Sequence, residues 1–388
     1  MQNTLSTRAN SLSIVPVTTK AHLSQFLKFP YDLYRGEPHW RAPLRFDRAA
    51  QINPKKNPNL KNLEIQHFLA FKNDMVVGRL SGIVNGDHLA QHDDNTGHFG
   101  FLDAQKDPEI LKALFAAVEA WLKERGLSRM VGPFNLCVNE DLGLLIDGFD
   151  TPPAVAMPYG RPDTQTTIEG LGFTKAKDLL AFWTDMHAGY PREPIVEMVV
   201  KMIDTNKHYN LRPMKKGKLK AEMRLAVDIF NDAWSNNWGF LPMSTELADH
   251  MSSEMMPILI PDLFWFVEYK GKASAFILML PNVNEATEGM DGKLLPFGWA
   301  KFIARLKFGK MKTSRILLMG VRKEFQGKRS GTAMAGALSE KTFEIARERG
   351  YTHTEMSWIL EDNKSMIRII EQAQGVAYKT YRMYEKKI

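Results

Sequence analysis

A basic, glycine-containing segment of the 388-residue chain has the residue types that bind phosphate groups. It runs from Arg322 to Ala333, and its residues 327–332 comprise two glycines, two cations and two hydroxyls, namely Gly327, Gly331, Lys328, Arg329, Ser330 and Thr332. Glycines let a backbone approach a ligand without obstruction by Cβ, and the first N–H groups of a helix attract anions. The spacing matches neither a Walker loop nor a Rossmann fingerprint. A pyrophosphate site is one interpretation, and a solvated basic loop with a Ser or Thr helix cap is the other.

The predicted elements around this segment would place it between a strand and a helix. An apolar strand is predicted at Arg315–Val321, and an alanine-rich helix at Thr332–Arg349 ends before Gly350. In this order the positive end of the helix dipole points at whatever the loop binds. A strand, a helix and a last alternating strand are predicted to follow, at His353–Trp358, Met366–Gln372 and Tyr378–Lys386.

The chain divides into two similar halves joined near His187–Pro194, where a Gly and two Pro interrupt the periodic segments. Each half shows a strand, a helix, a hairpin, another strand, a long helix, a strand, a short helix and a final strand. The long helix of the first half is predicted at Asp107–Arg125. Gene duplication explains this repetition, although any two halves that mix strands and helices could share such an order.

Composition and charge limit the class of protein. Hydrophobic residues make up 44% of the chain and charged residues 24%, which excludes a disordered or low-complexity protein. Cys137 is the single cysteine and is expected in the core, so a disulfide scaffold is excluded. No apolar run is long enough to span a bilayer, and the N-terminal residues lack the apolar core of a secretory signal, so we expect a cytoplasmic protein.

Residues 324–331, Glu-Phe-Gln-Gly-Lys-Arg-Ser-Gly, resemble the acyl-CoA-binding motif of the GNAT acetyltransferases. In that motif, Gln/Arg-x-x-Gly-x-Gly/Ala opens a helix after a strand, and Glu361-Asp362-Asn363 is similar to the next motif of the family. If Gln326 opens the motif, Arg329 stands where the family has its first glycine. The resemblance implies acetyl-CoA or another acyl-CoA as co-substrate, with contacts from Met319, Gly320, Val321, Gln326, Gly327, Lys328, Arg329, Ser330, Gly331, Thr332 and Asn363.

The resemblance further implies an α/β (α+β) fold of two GNAT-like domains, each a mixed, mostly antiparallel sheet flanked by helices. They would cover residues 1–190 and 191–388, and the acyl-CoA site would lie in the second. In the first, the equivalent loop at residues 103–108 is acidic and lacks glycine, so we expect no working CoA site there. The chain also resembles bacterial proteins of about this length that have tandem GNAT-like halves. This resemblance is carried by Trp40, Pro43 and residues 132–135.

The activity that the resemblance implies is transfer of an acyl group, acetyl in the simplest case, to an amine by direct attack. A backbone N–H beside a strand bulge near Gly320 or Val321 would polarise the thioester carbonyl. The tyrosine common on the later helix of the family is replaced here by the aliphatic run 366–370. Tyr384, or Tyr381, is therefore the candidate acid, and Glu361 or Asp362 is the candidate base. A surface carboxylate and ordinary sheet tyrosines are the competing interpretations, and a non-catalytic ligand- or partner-binding protein is the alternative function.

The acceptor class follows from the same resemblance and is a small-molecule amine or an amino acid. Nucleic acid binding is disfavoured, because the net charge of +7 and the run Lys215–Lys220 are typical of a solvated face. The amphipathic segment Trp299–Phe308 either contacts a membrane or an acyl chain, or caps the sheet. No histidine pair has metal-ligand spacing, so no metal is expected, and stable membrane insertion is not expected.

Overall fold

The computed structural model describes residues 11–187, 194–309 and 311–388, and the predicted linker at 187–194 therefore lies almost wholly outside the described residues. Residues 11–187 form, in chain order, β1 Leu12–Pro16, α1 Lys20–Leu33, α2 Arg45–Gln51, β2 Leu63–Lys72, β3 Met75–Asn85, α3 Gly86–His92, β4 Thr96–Ala104, α4 Pro108–Lys123, β5 Arg129–Gly132, β6 Leu144–Asp147, α5 Pro162–Gly170 and β7 Thr174–Asp185.

The C-terminal half follows a similar but not identical order of elements. It forms α6 Pro194–Thr205, β8 Tyr209–Pro213, α7 Leu219–Trp234, α8 Thr245–Met255, β9 Phe264–Tyr269, β10 Lys272–Pro281, α9 Asn284–Thr287, α10 Gly298–Phe308, β11 Thr313–Val321, α11 Arg329–Glu348, β12 His353–Leu360, α12 Lys364–Gln372 and β13 Val376–Lys387. Short 3₁₀ turns occur at Pro58–Leu60, Pro261–Leu263 and Lys323–Phe325.

The described strands lie in one sheet in the order β1-β2-β3-β4-β5-β13-β7-β12-β11-β10-β9-β8, with β6 paired to β13. Among the described strands, only β4–β5 and β11–β12 are parallel, which confirms the mixed, mostly antiparallel sheet. The last strand of each half is exchanged. β13 pairs with β5 and β7 of the N-terminal half, and β7 pairs with β12 of the C-terminal half. The division at residue 190 stays a prediction, and the two halves share a continuous sheet.

Amphipathic helices cover both faces of this sheet. α4 buries Ile110, Leu114, Val118 and Leu122 against the N-terminal strands, at the spacing that predicts a helix from the sequence. α11 and α6 bury one face of the C-terminal strands, and α7 and α8 bury the other. No helix among the described residues is both long and apolar enough to cross a bilayer.

Most predicted elements are present, and the differences are informative. The turn Asn73-Asp74 joins β2 to β3 with positive φ at both residues, as an asparagine–aspartate hairpin turn requires. Cys137 is buried as expected, and burial raises the pKa of its thiol to about 12. The short elements β6, α3 and α9 were not predicted, because fewer than eight residues give too little periodicity.

Candidate functional site

The two parallel strands β11 and β12 pair only at their beginnings. Hydrogen-bonded partners run from Thr313–His353 to Ile316–Met356, and both strands then continue without pairing to each other. We call the region between residues 317–321 of β11 and 357–360 of β12 the C-terminal cleft. A cleft between diverging parallel strands exposes backbone groups of both strands to a ligand.

A bulge lies in β11 at the mouth of this cleft. The β10–β11 register moves from Leu278–Leu318 to Met279–Ile316, so Leu317 is the extra residue. The sequence analysis expected the bulge near Gly320 or Val321, and that position is wrong. Gly320 and Val321 pair regularly with Phe276 and Ala275, because the ladder resumes its register directly after Leu318.

The loop after β11 is held by its own side chains. Phe325 is buried, and the Gln326 amide donates hydrogen bonds to the carbonyl oxygens of Ala233 (3.0 Å) and Val321 (2.8 Å). Gly327 has a φ of +69°, a conformation that favours glycine. A Cβ on Gly331 would lie 2.2 Å from the carbonyl oxygen of Phe325. Gln326 therefore shapes the loop, and Gly331 is required for the helix to begin so close to it.

The N-terminus of α11 carries the exposed cations of the loop. The backbone of Lys328 caps the helix by accepting from the N–H groups of Gly331 (3.1 Å) and Thr332 (3.2 Å). Its side chain does not cap, and Lys328 and Arg329 are exposed. In contrast, Arg322 is bound to Asp228 (2.5 Å). Lys328, Arg329, Ser330 and the helix N–H groups are thus the ones that could bind an anion.

A buried polar network lies where β11 and β12 diverge. Arg315 on β11 pairs in register with Glu355 on β12, and both are at most 1% exposed. The guanidinium lies 3.5 Å from the carboxylate and donates to the Ser357 hydroxyl (3.0 Å), which donates to Glu355 (2.5 Å). Tyr378 on β13 also donates to Glu355, and burial followed by the Glu355 charge raises the pKa of Tyr378 far above its usual range.

The N-terminal half completes the surroundings of this network. Arg315 donates to the carbonyl oxygens of Val155 (2.6 Å) and Ala156 (3.1 Å), in the loop after β6. The indole of Trp358 lies across the guanidinium, with 5.0 Å between its ring centroid and the Arg315 carbon. Sequence reasoning missed this network, although Arg315 is the one lysine, arginine or carboxylate residue of β11 and Glu355 that of β12, and that was the signal available.

The three other predicted site residues lie apart from this network. Glu361 binds Lys175 (2.6 Å) and accepts from the backbone N–H of Asp178 (3.1 Å), so it ties β12 to β7. Asn363 caps α12 by accepting from the Met366 N–H (3.2 Å). Tyr384 lies in the core of the N-terminal half and donates to Glu169 (2.9 Å), because the exchange of β13 carries it there. Structural contacts account for all three side chains.

In the corresponding region of the N-terminal half, the chain that follows β5 pairs with β4 as far as Phe101, and a cavity of about 110 Å³ remains beyond it, lined by Phe101, Asp103, Pro133 and Asn135 among others. We call this region, between β4 and the chain that follows β5, the N-terminal cleft. The Phe134 N–H donates to the Phe99 carbonyl (2.7 Å), and the Asn135 side chain accepts from the Phe101 N–H (2.8 Å) beside the β4 bulge. A Cβ on Gly100 would lie 1.6 Å from the Phe134 oxygen. The chain itself therefore occupies the position that is left unpaired in the C-terminal half.

The comparisons with known proteins agree with this architecture. No family model matches the sequence. The chain is 39% identical to the "Bacterial ceramide synthase" of Caulobacter vibrioides over 97% of its length and 98% of that protein. It is 38% identical to "Protein YghO" of Escherichia coli, over 95% and 94% of the two chains.

Solved structures show the same fold at low sequence identity. A tandem GNAT protein from the clavulanic acid biosynthesis pathway aligns with 97% of this chain and 98% of its own, with a TM-score of 0.55 and 13% identity. A probable N-acyltransferase from Enterococcus faecalis aligns with 97% of this chain and 73% of its own, with a TM-score of 0.51 and 8% identity. The chain thus has the fold of tandem GNAT proteins, and it belongs to the family of the two bacterial proteins from Caulobacter vibrioides and Escherichia coli.

Proposed function

We propose that this protein is an acyl-CoA-dependent N-acyltransferase whose acceptor is a long-chain amino alcohol. The observation that carries the proposal is the unpaired C-terminal cleft, which opens beside a cationic helix N-terminus while the chain fills the N-terminal cleft as far as Phe101. The acceptor class comes from the relative named a ceramide synthase, because a ceramide is the amide of a fatty acid and a long-chain amino alcohol. The same chemistry favours a fatty acyl donor over the acetyl donor expected from the sequence.

Residues of the loop and of α11 fit the phosphate groups of an acyl-CoA. The exposed Lys328 and Arg329 supply charge, and the tight packing of Gly331 on Phe325 presents the first N–H groups of the helix. The thioester would then lie along the C-terminal cleft. The bulge at Leu317 interrupts the β10–β11 ladder at this point, which supports a role for a nearby backbone N–H in polarising the carbonyl.

The buried network supplies the groups for proton transfer. Amide formation makes a C–N bond and breaks the C–S bond, and a proton must leave nitrogen and reach sulfur. We assign the Ser357 hydroxyl to take the proton from the amine while it passes its own to Glu355, with which it already shares a hydrogen bond. As the C–S bond breaks, CoA leaves as the thiolate and takes its proton from solvent, to which Glu355 later returns the proton of the amine. Arg315 holds Glu355 in place, and Tyr378 stays protonated beside it.

A turnover assay tests the proposal. The purified chain is incubated with palmitoyl-CoA or acetyl-CoA and with sphinganine or ethanolamine, and released thiol and amide product are measured. We expect amide from palmitoyl-CoA and sphinganine, and little from the short amine, which cannot use apolar binding energy. Binding of palmitoyl-CoA without thiol release for either amine would contradict the transferase and favour a ligand-binding protein.

A matched pair of glycine variants tests whether the acyl-CoA binds at the loop before α11. Gly331→Asp adds both a clashing Cβ and a negative charge at the helix N-terminus, so affinity for palmitoyl-CoA should fall about 100-fold or more. Gly170→Ala is the control, since a Cβ there meets no atom within 4 Å. Calorimetric titration of both variants measures the difference, and unchanged affinity in Gly331→Asp would remove the loop from the proposal.

A further inference from the structure

Exposed apolar side chains of this protein are concentrated in one short segment. Among the described residues, large hydrophobic side chains with high exposure include Leu295 (79%), Phe297 (80%), Trp299 (51%), Ile303 (42%) and Phe308 (83%). All five lie in α10 or in the turn before it. Isolated exposed hydrophobics are common on protein surfaces, but a cluster of this kind marks an interaction site.

The geometry of α10 directs these residues away from the protein. Arg305 donates to the carbonyl oxygens of Ala286 (3.0 Å) and Glu288 (2.7 Å), which fixes one side of the helix to the end of α9. Phe302 and Leu306 are half-buried on that same side. At 100° per residue, Ile303 and Phe308 fall on the remaining surface, about 140° apart, and the half-exposed Trp299 lies at its edge beside Leu306. The helix does not cap the sheet core, because it has no buried residue.

The turn before α10 extends this apolar surface. The Trp299 N–H donates to the Leu294 carbonyl oxygen (2.7 Å), so residues 295–297 form a closed tip. Leu295 and Phe297 lie at that tip, exposed next to the first turn of the helix. The tip and the outer face of α10 together form one surface, which we call the α10 face.

The segment that carries the α10 face is cationic, and the carboxylates nearest to it in sequence, Glu288 and Asp291, lie at its base, where Lys293 pairs with Asp291 (3.3 Å). Residues 292–312 contain six lysines or arginines and no aspartate or glutamate. Lys301 and Lys307 are exposed beside the apolar side chains. Two such faces would repel each other, which disfavours a second copy of the chain as the partner. Aromatic and aliphatic side chains flanked by lysines match the interface of an anionic bilayer.

We infer that the α10 face docks this protein onto the surface of an anionic lipid bilayer. The apolar tip and Trp299, Ile303 and Phe308 enter the interfacial region, and Lys301 and Lys307 bind lipid phosphate groups. The bilayer is contacted from its surface and is not crossed. Docking follows from the exposure and charge of this face and goes beyond the proposed function. It can therefore be tested without an assay of catalysis.

Sedimentation with sucrose-loaded vesicles tests the docking. The full chain is mixed with vesicles of phosphatidylcholine alone or of phosphatidylcholine with phosphatidylglycerol. We expect binding to the anionic vesicles that weakens with salt. The double variant K301Q/K307Q should lower the affinity about 25-fold, at roughly fivefold for each basic residue near the surface. The triple variant F297S/W299S/F308S should lower it at least about tenfold.

A matched control variant distinguishes binding through the α10 face from non-specific adsorption to vesicles by exposed apolar side chains. Met198, Met256 and Val376 are 58%, 68% and 67% exposed and lie outside the α10 face. The triple variant M198S/M256S/V376S should bind vesicles like the unmodified chain. Equal binding by both triple variants, or no binding of the unmodified chain to anionic vesicles, overturns the inference. Sedimentation velocity provides a second readout, because a dimer abolished by F297S/W299S/F308S would instead make the face a contact between copies.

Discussion

The two halves of this protein use the same pair of parallel strands in opposite ways. The third pair of β4 and β5 joins His98 to Val131, and the third pair of β11 and β12 joins Arg315 to Glu355. In the N-terminal half this position is uncharged, since burial lowers the pKa of His98 to about 3. In the C-terminal half the position holds the ion pair of Arg315 and Glu355, and Arg315 also donates a hydrogen bond to Ser357. Of these two equivalent positions, only the one beside the unpaired cleft carries a buried ion pair.

The helices that follow β4 and β11 also differ in the charge at their N-termini. α4 begins at Pro108, and the Asp107 side chain accepts from the Glu109 N–H (3.1 Å) and from Lys72 (3.2 Å). α11 begins without a side-chain cap and next to two exposed cations. A carboxylate already occupies the N-terminus of α4, so an external anion is disfavoured there. The N-terminal half instead contributes β7 and the loop at Val155–Ala156 to the surroundings of the other cleft.

The largest effect should come from opening the N-terminal cleft. Gly100→Ala places a Cβ within 1.6 Å of the Phe134 oxygen, so the segment at Phe134–Asn135 must move. We expect a loss of more than about 3 kcal/mol in the free energy of unfolding, measured by urea denaturation. Gly320→Ala on β11 is the matched variant, because its Cβ would lie 3.0 Å from the Phe276 ring, and should lose about 1 kcal/mol. Equal losses would mean that the two clefts are not different.

The second effect concerns the cations of the unpaired cleft. Lys328→Glu with Arg329→Glu should weaken palmitoyl-CoA binding about 100-fold, since two charge-assisted contacts are replaced by repulsion. Lys215→Glu with Lys216→Glu makes the same charge change at another exposed site and should alter the affinity about twofold or less. Titration calorimetry at low and moderate salt compares the pair. Similar weakening in both would assign the effect to net charge.

The third effect is a pH dependence confined to the N-terminal half. The pKa of His98 is about 3 in the folded chain, against an ordinary value of 6.5, because burial disfavours the imidazolium. The unfolded chain therefore binds the proton more readily, and stability is lost as the pH falls below 6.5. The loss should reach about 2 kcal/mol near pH 5. In the variant His98→Leu this part of the pH dependence of stability should disappear. Urea denaturation midpoints between neutral and mildly acidic pH measure the difference. A pH profile of stability unchanged in the variant would show that His98 is not the group responsible.

The smallest effect should come from the polar network of the C-terminal cleft. Ser357→Ala removes one hydroxyl and leaves the pair of Arg315 and Glu355 in place. We expect kcat to fall about tenfold and KM to change about twofold or less, because the hydroxyl is assigned to proton transfer and not to binding. A merely structural serine would change the thermal midpoint and leave kcat and its pH profile as they are. Steady-state kinetics across pH, with thermal unfolding alongside, distinguish these outcomes.

Local sequence predicted the loop and its neighbours well because strand, loop and helix are contiguous there. The strand at Arg315–Val321, the helix beginning near Thr332 and the need for glycine at Gly331 all depend on residues a few positions apart. Tyr384 became the candidate acid through the resemblance, while alternation indicated only that it lies in the last strand. Alternation predicts a strand but does not say which strand it pairs with, and β13 crosses into the other half.

The sequence by itself determined the repeated order of elements, the cationic loop and the resemblance to the GNAT superfamily. Periodicity, glycine positions and charge are properties of short stretches of sequence. They can therefore be identified without knowledge of the fold. The tertiary structure alone decided that Arg315 meets Glu355, that Tyr378 joins them, and that the chain after β5 pairs with β4 in the N-terminal cleft. These contacts join residues brought together by strand register and strand exchange, which depend on the burial of the whole sheet and not on any one segment.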